Sequence, residues 1–294
     1  MKKLNNYNRI CIGTANFGQK YGFKRNIQIT TEEIEKILSL ASFNKINTID
    51  TANSYGESEN IIGSLGHKHW NIITKIPSIP NGKIDLKQWT NDNIENSLKD
   101  LKKNCLYGVL FHNSNDLFSP KGQKVYEEII KLKDKKIINK VGVSIYNPLD
   151  LSVLFKKFDF EIVQVPFNVL DRRVATSGWL KKLNARNVEI HARSIFLQGM
   201  LLKSNNHLPH YFNKWEGKWE KWNNWLKQKN VSALCACLYF VLSYTEIKKL
   251  VLGIDNQNHL NDIISALAKY QEIKLPDLSS NDELLINPMN WKLN

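Results

Sequence analysis

Four side chains of different chemistry, Asp50, Tyr55, Lys75 and His112, lie at or just after the ends of short β-branched runs. A tyrosine phenol is a weak acid at neutral pH, and an ammonium group beside it stabilises the phenolate. Lys75 can supply that ammonium, and Asp50 can hold Lys75 charged and in place. The imidazole of His112 can orient a carbonyl oxygen against the phenol. Together the four groups suit protonation of an alkoxide as a hydride reaches its carbon.

Later runs also end in hydrogen-bonding side chains. They are Ser144, Gln164 with Asn168 close behind it, and the pair Arg193 and Ser194. If the runs are parallel strands of one sheet, all of these groups converge on the rim that carries the first four.

These side chains converge only if the runs belong to one closed sheet. Short β-branched runs alternate with amphipathic segments along the whole chain, which is typical of parallel strands joined by crossover helices. We predict an α/β fold, a (β/α)8 TIM barrel with an outer helix ring, and 294 residues suit one such domain spanning residues 1–294. The eight candidate strands are residues 9–14, 48–50, 71–76, 107–112, 140–144, 162–166, 188–194 and 249–253.

Capping residues mark where several outer helices begin. Thr30 lies three residues before Glu33, and Ser119 precedes Pro120, which are both helix-start patterns. Thr90 precedes apolar residues at helical spacing and predicts a third start. Trp215, Trp219 and Trp222 also share helical spacing, which indicates either a helix packed on the barrel or an aromatic wall near the mouth.

Composition narrows the class of protein. The net charge is +13, but the basic residues are spread along predicted helix faces, so we expect no nucleic-acid partner and only an attraction for anionic small molecules. The four cysteines form no metal or disulfide pattern, and residues His67 to His69 are typical of a solvated loop, so no metal site is expected.

The chain start lacks a signal sequence, and the apolar stretch 231–244 is shorter than the ~20 residues of a membrane span. We therefore expect a cytoplasmic protein without membrane contact.

Several sequence motifs occur in an order that indicates a family resemblance. The motif IDTANSYG of residues 49–56 is followed by Thr74-Lys75 and by Leu110-Phe111-His112. IGTANFG at residues 12–18, QVPFNVLD at residues 164–171 and RSIFLQG at residues 193–199 add to it. In order, spacing and strand context the chain resembles the aldo-keto reductases from about residue 9 to residue 267.

The resemblance implies a barrel that binds NAD(P)H and reduces an aldehyde or ketone. By position, Tyr55 is the general acid, Lys75 and Asp50 tune it, and His112 orients the substrate. The residues implied in cofactor binding are Ser144, Gln164, Arg193, Ser194, Leu197, Gln198, Gly199, Gly253 and Asp255. Among these, Gln164 and Ser144 match residues at the nicotinamide carboxamide, and residues 194–199 match the loop over the pyrophosphate.

Three positions depart from the family pattern. Ile145 follows Ser144 where many relatives have asparagine, and Arg193 stands where an aromatic residue often stacks on the nicotinamide. The segment 253–259 after the last strand carries no lysine or arginine for a 2′-phosphate and includes Asp255. A carboxylate repels a phosphate and can bind a free ribose hydroxyl. We favour NADP(H) over NAD(H), the family's usual choice.

The resemblance is strongest to bacterial single-domain members associated with surface-polysaccharide and nucleotide-sugar metabolism, through residues 13–18, Tyr21-Gly22 and residues 193–199. A sugar-like carbonyl compound is the corresponding substrate hypothesis. The C-terminal tail, residues 276–294, occupies the place where relatives fold a loop over the substrate. A non-catalytic NADPH-binding regulatory or assembly subunit on the same barrel is the alternative function, and no oligomeric state follows from the sequence.

Overall fold

Eight parallel strands close into a barrel in the order in which they occur along the chain. The computed structural model describes residues 6–19, 29–66, 69–204 and 207–293. The strands are β1 Ile10–Gly13, β2 Thr48–Asp50, β3 Asn71–Ile76, β4 Leu106–Phe111, β5 Ile138–Ser144, β6 Ile162–Pro166, β7 Glu189–Arg193 and β8 Ile247–Gly253. The predicted (β/α)8 barrel is confirmed, and each predicted strand overlaps an observed one.

Helices surround the barrel and bury their apolar faces against the strands. The longer ones are α1 Thr31–Phe43, α2 Ser58–Ser64, α3 Leu86–Asp100, α4 Pro120–Asp134, α7 Trp179–Ala185, α8 Glu216–Lys229, α9 Ala233–Leu242 and α10 Gln257–Ala268. Three single-turn helices lie in connections and in the tail: α5 Leu151–Leu154, α6 Arg173–Thr176 and α11 Glu283–Ile286.

Two of the three predicted helix starts are observed. The Thr30 side chain accepts a hydrogen bond from the backbone N–H of Glu33 at the start of α1, and Ser119 caps α4 in the same way. Helix α3 begins earlier than predicted, at Leu86, because the Asp85 carboxylate accepts from two backbone N–H groups of its first turn. Thr90 instead lies inside that helix.

The barrel interior is filled by side chains of alternating residues. Ile73, Leu110 and Ile162 form an apolar layer across three strands. Gly142 pairs with Ile162 in the β5–β6 register, and an added Cβ there would lie 2.3 Å from the Ile162 carbonyl oxygen. Glycine at this position lets the two strands approach while Ile162 fills the interior.

Helix α8 contains Trp219, Trp222 and Trp225, which are buried, whereas Trp215 lies in the 3-10 turn just before it and is only half-buried. The indole N–H of Trp222 donates to the carbonyl oxygen of Leu201, so the segment packs on the barrel. Helix α9 is almost wholly buried, as the apolar stretch predicts. Across the described ranges, no helix has the length and apolar character needed to cross a bilayer.

We expect Gly142→Ala to lower the free energy of unfolding by roughly 1–3 kcal/mol, because the new methyl group overlaps backbone and the Leu110 side chain. Gly217→Ala is the matched control, since Gly217 lies in α8 with no neighbour within 4 Å of its added Cβ. That substitution should stabilise by ~0.4–1 kcal/mol. Urea unfolding of both variants measures the difference, and equal effects would contradict the packing argument.

Candidate active site

A buried ion pair lies at the open end of the barrel. Asp50 pairs with Ile73 in the register of β2 and β3, so Lys75, two residues further along β3, projects from the same face. The Lys75 Nζ lies 2.5 Å from the Asp50 Oδ1, and the side chains are 1% and 4% exposed. The ends of two adjacent strands therefore place a full positive and a full negative charge away from water.

All three N–H donors of the Lys75 ammonium have an acceptor. They reach Asp50 Oδ1, the Thr51 carbonyl oxygen at 2.9 Å and the Tyr55 hydroxyl oxygen at 3.5 Å. Burial alone lowers the pKa of Lys75, but the Asp50 carboxylate and the Tyr55 oxygen outweigh it and raise that pKa above the ordinary lysine value. Lys75 is therefore a permanent cation beside the phenol.

The loop after β2 presents Tyr55 beside His112. Their rings meet edge to face with centroids 5.7 Å apart, and His112 follows the last residue of β4. Gly18 holds this loop against the loop after β1, because an added Cβ would lie 2.3 Å from the Tyr55 carbonyl oxygen. Both rings are half-buried, so each keeps an edge toward the mouth.

His112 is neutral at physiological pH. Burial, together with the positive charges of Lys75 and Arg193, lowers the pKa of His112 to about 4. Its Nδ1 lies 3.2 Å from the Ser54 hydroxyl oxygen, which fixes the orientation of the ring. A neutral imidazole held in this way has one N–H to donate.

Ser144 ends β5 and pairs in register with Gln164, which lies two residues before the end of β6. Both side chains are buried, at 5% and 1% exposure. The Gln164 amide nitrogen donates to the second Asp50 oxygen at 2.7 Å. The amide predicted to contact a cofactor is thus also tied directly to the ion pair.

The predicted loop after β7 has an unusual backbone. Ser194, Leu197, Gln198 and Gly199 all adopt left-handed conformations, with φ between 48° and 82°. The N–H of Leu197 donates to the Ser194 carbonyl oxygen and that of Met200 to the Leu197 carbonyl oxygen, and the other N–H groups of such a turn can line a concavity that suits an anion. Arg193, the last residue of β7, donates to the Ile145 carbonyl oxygen at 3.0 Å.

Gly253 is the last residue of β8, which lies between β7 and β1, and Asp255 follows it. The Asp255 carboxylate accepts from the Asn16 amide at 3.0 Å and lies 4.0 Å from the His259 Nδ1. Its side chain is 75% exposed, and no hydrogen bond or ion pair joins it to the other described groups of the predicted site. The structure therefore brings eleven of the predicted residues to β2–β7 and leaves these two beside β1 and β8.

Asn168 has a structural role in the turn after β6. Its side-chain oxygen accepts from the backbone N–H groups of Leu170 and Asp171, and its amide donates to the Ser194 carbonyl oxygen. Sequence reasoning missed three contributors to the site: the Thr51 carbonyl, the Ser54 hydroxyl and the ring of Tyr146, which lies 4.1 Å from the Arg193 guanidinium carbon. Thr51 and Ser54 lie inside the motif of residues 49–56, and Tyr146 lies two residues after Ser144, which is the signal that the sequence offers.

Some predictions fall partly outside the described residues. His67, Lys68, Tyr21 and Gly22 belong to segments that the structure does not describe. In the ranges that it does describe, no group of three or more histidine, cysteine, aspartate or glutamate side chains could hold a metal ion.

A sequence model of the aldo/keto reductase family matches residues 9–282. The chain belongs to the aldo/keto reductase family. A search of curated proteins returned no match. Members of this family are nicotinamide-dependent oxidoreductases that act on small carbonyl compounds, so the protein is an aldo-keto reductase with NAD(P)H-dependent carbonyl reduction as its activity.

Solved structures share the fold of the reductase. A "putative aldo-keto reductase" from Pseudomonas aeruginosa is similar with a TM-score of 0.66 and 22% identity, covering 89% of this chain and 90% of that one. The holo form of the aldo-keto reductase AKR11C1 from Bacillus halodurans has a TM-score of 0.68 and 19% identity, covering 90% and 88%. At these identities the likeness shows the barrel alone.

The depressed pKa of His112 predicts a pH dependence of the reductase's stability. Between pH 6.5 and pH 4 the unfolded chain takes up a proton at this position and the folded protein does not, so acidification through that window destabilises the fold. We expect His112→Gln to remove up to about 3 kcal/mol of this acid sensitivity, at 1.36 kcal/mol per pH unit.

Urea unfolding at pH 4.5 and pH 7 measures the effect as a difference between variant and wild type. His210→Gln is the control, because His210 is exposed and its loss should leave the pH slope unchanged. A His112→Gln variant with the wild-type acid slope would show that this imidazole is not held neutral by the fold.

Proposed function

We propose that this reductase protonates the developing alkoxide of an aldehyde or ketone through Tyr55, and that its substrates are sugar-like carbonyl compounds. The observation that carries the first part is the hydrogen bond from the Lys75 Nζ to the Tyr55 oxygen. A lysine ammonium only donates, so the Tyr55 oxygen is the acceptor in this contact. The phenol proton is consequently free to point into the mouth, toward a substrate oxygen.

The charges around Tyr55 favour loss of that proton during the reaction. Lys75 stays protonated because Asp50 and the Thr51 carbonyl hold it, and its charge stabilises a phenolate at Tyr55. Asp50 is in turn held by the Gln164 amide, so the pair does not reorganise as the phenol ionises. Reprotonation of Tyr55 from water in the mouth then restores the site.

His112 serves as the second hydrogen-bond donor to the substrate oxygen. Its neutral ring can donate one N–H, and its edge-to-face contact with Tyr55 directs both donors to one point. Two donors on one oxygen stabilise the negative charge that develops there. Because the ring is neutral, its proton is held firmly and the phenol remains the group that gives one up.

The residues at the mouth fit a nicotinamide cofactor. The buried Ser144 hydroxyl and Gln164 amide lie side by side at strand ends, where a carboxamide needs both a donor and an acceptor. Arg193 offers a flat guanidinium beside them, and the left-handed turns of residues 194–199 offer backbone N–H groups for phosphates. When bound, NAD(P)H supplies the hydride to the carbonyl carbon.

Polar groups beside the reacting position support a sugar-like substrate. Ser54 contacts His112, and the Asn113 amide lies 3.4 Å from the Ser78 hydroxyl at the same rim. A polyhydroxylated substrate loses its water partners on binding and needs such groups in exchange. The basic shell of the protein adds attraction for phosphorylated or acidic sugars.

NADP(H) is the proposed cofactor in preference to NAD(H). The family generally uses NADP(H), and the net charge of +13 favours the more highly charged nucleotide. The exposed Asp255 favours NAD(H) instead, because its carboxylate can accept a hydrogen bond from a ribose hydroxyl. The preference is therefore open to a direct measurement.

We expect Tyr55→Phe to lower kcat for carbonyl reduction by about 10²- to 10⁴-fold, while the Kd for NADPH changes less than about twofold. The measurement is NADPH oxidation with a panel of aldoses and alkyl aldehydes of matched size. Tyr146→Phe is the control, because it removes a phenol at the same rim that makes no hydrogen bond described in the structure. Wild-type kcat in Tyr55→Phe would refute the proton-donor role.

The same substrate panel also distinguishes the sugar-like substrate class and the alternative function. Higher kcat/KM for aldoses than for alkyl aldehydes supports the sugar-like class, and the reverse order contradicts it. A wild-type protein that binds NADPH and turns over no member of the panel would point to the non-catalytic regulatory or assembly subunit.

Titration with NADPH and NADH should show tighter binding of NADPH. Quenching of the fluorescence of the eight tryptophans gives both Kd values. We expect Asp255→Asn to strengthen NADPH binding several-fold and to leave NADH binding unchanged or weaker, because the carboxylate repels a 2′-phosphate. Tighter binding of NADH by the wild type, lost in Asp255→Asn, would reverse the proposed preference.

A further inference from the structure

Arg193 is the one side chain of the predicted cofactor site whose charge has no obvious use. His191 and Arg193 lie two residues apart on β7, so they project from the same, inward face of the barrel. Gln164, which contacts Asp50, pairs with His191 in the β6–β7 register. The Arg193 side chain therefore lies one layer above the Gln164–Asp50 contact, at the open mouth.

Only neutral groups hold the Arg193 guanidinium. It donates to the Ile145 carbonyl oxygen at 3.0 Å and to the Ser194 hydroxyl at 3.3 Å. The Tyr146 ring covers one face, with its centroid 4.1 Å from the guanidinium carbon. Of the carboxylates in the described part of the chain, none forms an ion pair with Arg193.

The other charges of the mouth do not neutralise this cation. Lys75 and Asp50 cancel each other as a pair, and His112 is neutral. Arg173 pairs with both Asp171 and Glu283, and Asp255 follows β8, where its carboxylate accepts from Asn16. The groups in direct contact with the Arg193 guanidinium therefore include no negative charge.

We propose that Arg193 selects the redox state of the cofactor, so that the reductase binds the reduced nicotinamide more tightly than the oxidised one. This inference rests on the proposed function, which places the nicotinamide ring against the free face of the guanidinium. The oxidised ring is a cation and the reduced ring is neutral. A fixed guanidinium repels the first and stacks on the second.

Tyr146 is a positioning residue in this arrangement. Its electron-rich face stabilises the guanidinium, and Ile145 fixes one end of the same fork, so the planar group cannot swing away from an incoming cation. A lone flexible arginine would relieve the repulsion by moving into solvent. The stack on Tyr146 prevents this movement, so the repulsion between the guanidinium and the oxidised ring persists.

The selection has a consequence for turnover. Hydride transfer converts the neutral ring into a cation against Arg193, and the repulsion that results speeds the release of the oxidised cofactor. The same repulsion weakens binding of the oxidised cofactor, so the free enzyme binds mainly the reduced form. Arg193 thus favours occupancy of the site by the reduced cofactor when both forms are present.

The test compares Kd values for NADPH and NADP⁺ in the full-length protein by tryptophan quenching, with calorimetry as a second measurement. We expect the ratio of the oxidised to the reduced Kd to fall about tenfold in Arg193→Gln, because one neighbouring charge is removed. Arg193→Lys keeps the charge and should keep the ratio, although both Kd values rise. Stopped-flow release of NADP⁺ should slow in Arg193→Gln by a similar factor.

Arg186→Gln is the matched control. Arg186 also lies over an aromatic ring, with its guanidinium carbon 5.1 Å from the Phe155 centroid, but it follows α7 on the exposed surface. Its loss lowers the net charge equally and should leave the ratio unchanged. Tyr146→Ala should shift the ratio toward that of Arg193→Gln, whereas Tyr146→Phe, which retains the ring, should keep the wild-type ratio.

Two results would overturn the inference, and they are distinguishable. A wild-type protein that binds neither nucleotide would refute the proposed function itself. Binding of both forms with a ratio that is the same in wild type and Arg193→Gln would leave the function standing and show that Arg193 does not select the redox state. Circular dichroism and thermal unfolding of each variant establish that the comparison is made on folded protein.

Discussion

The ion pair between Lys75 and Asp50 is the constraint on which the open end of the barrel depends. Removing two charges from water costs several kcal/mol for each ion, and the attraction between them compensates only when every remaining donor and acceptor is satisfied. Here the Thr51 carbonyl, the Tyr55 oxygen and the Gln164 amide satisfy them. The pair therefore fixes the ends of β2, β3 and β6 relative to one another, and Tyr55 is placed because it is needed as an acceptor.

A second polar network occupies the other end of the barrel and has a different consequence. Glu189 accepts from Lys140 and Tyr107 and contacts His191, and these hydrogen bonds outweigh burial and lower the pKa of Glu189 well below its usual range. Burial also keeps the pKa of His191 below its ordinary value. Polar groups at the amino-terminal end of barrel strands serve stability, whereas those at the carboxyl-terminal end face the substrate. The ionic cluster around Glu189 therefore serves stability, and the cluster around Lys75 and Asp50 faces the substrate.

Much of the site could be predicted because parallel strands bring their carboxyl ends to one rim whatever the loops do. Asp50, Lys75, Ser144 and Gln164 lie on strands, and their proximity follows from the pattern of strands alone. The Arg193–Tyr146 stack could not be predicted in this way, because Tyr146 lies in the connection after β5, whose backbone accepts hydrogen bonds from the distant side chains of Arg173 and Arg193. The start of α3 was predicted five residues late, at Thr90, because Asp85 caps the helix and Thr90 donates to the Leu86 carbonyl oxygen from within it.

Contacts of the C-terminal tail extend the consequences of the Arg193 stack beyond the mouth. The Arg173 guanidinium pairs with Asp171, donates to the Tyr146 carbonyl oxygen at 3.0 Å and pairs with Glu283 of the tail. On its other side the tail is held by Trp215, whose indole donates to Asp282 at 2.9 Å. Arg173 therefore joins the tail, Asp171 and the backbone of Tyr146, so the residue whose ring stacks on Arg193 is also held from the side of the tail.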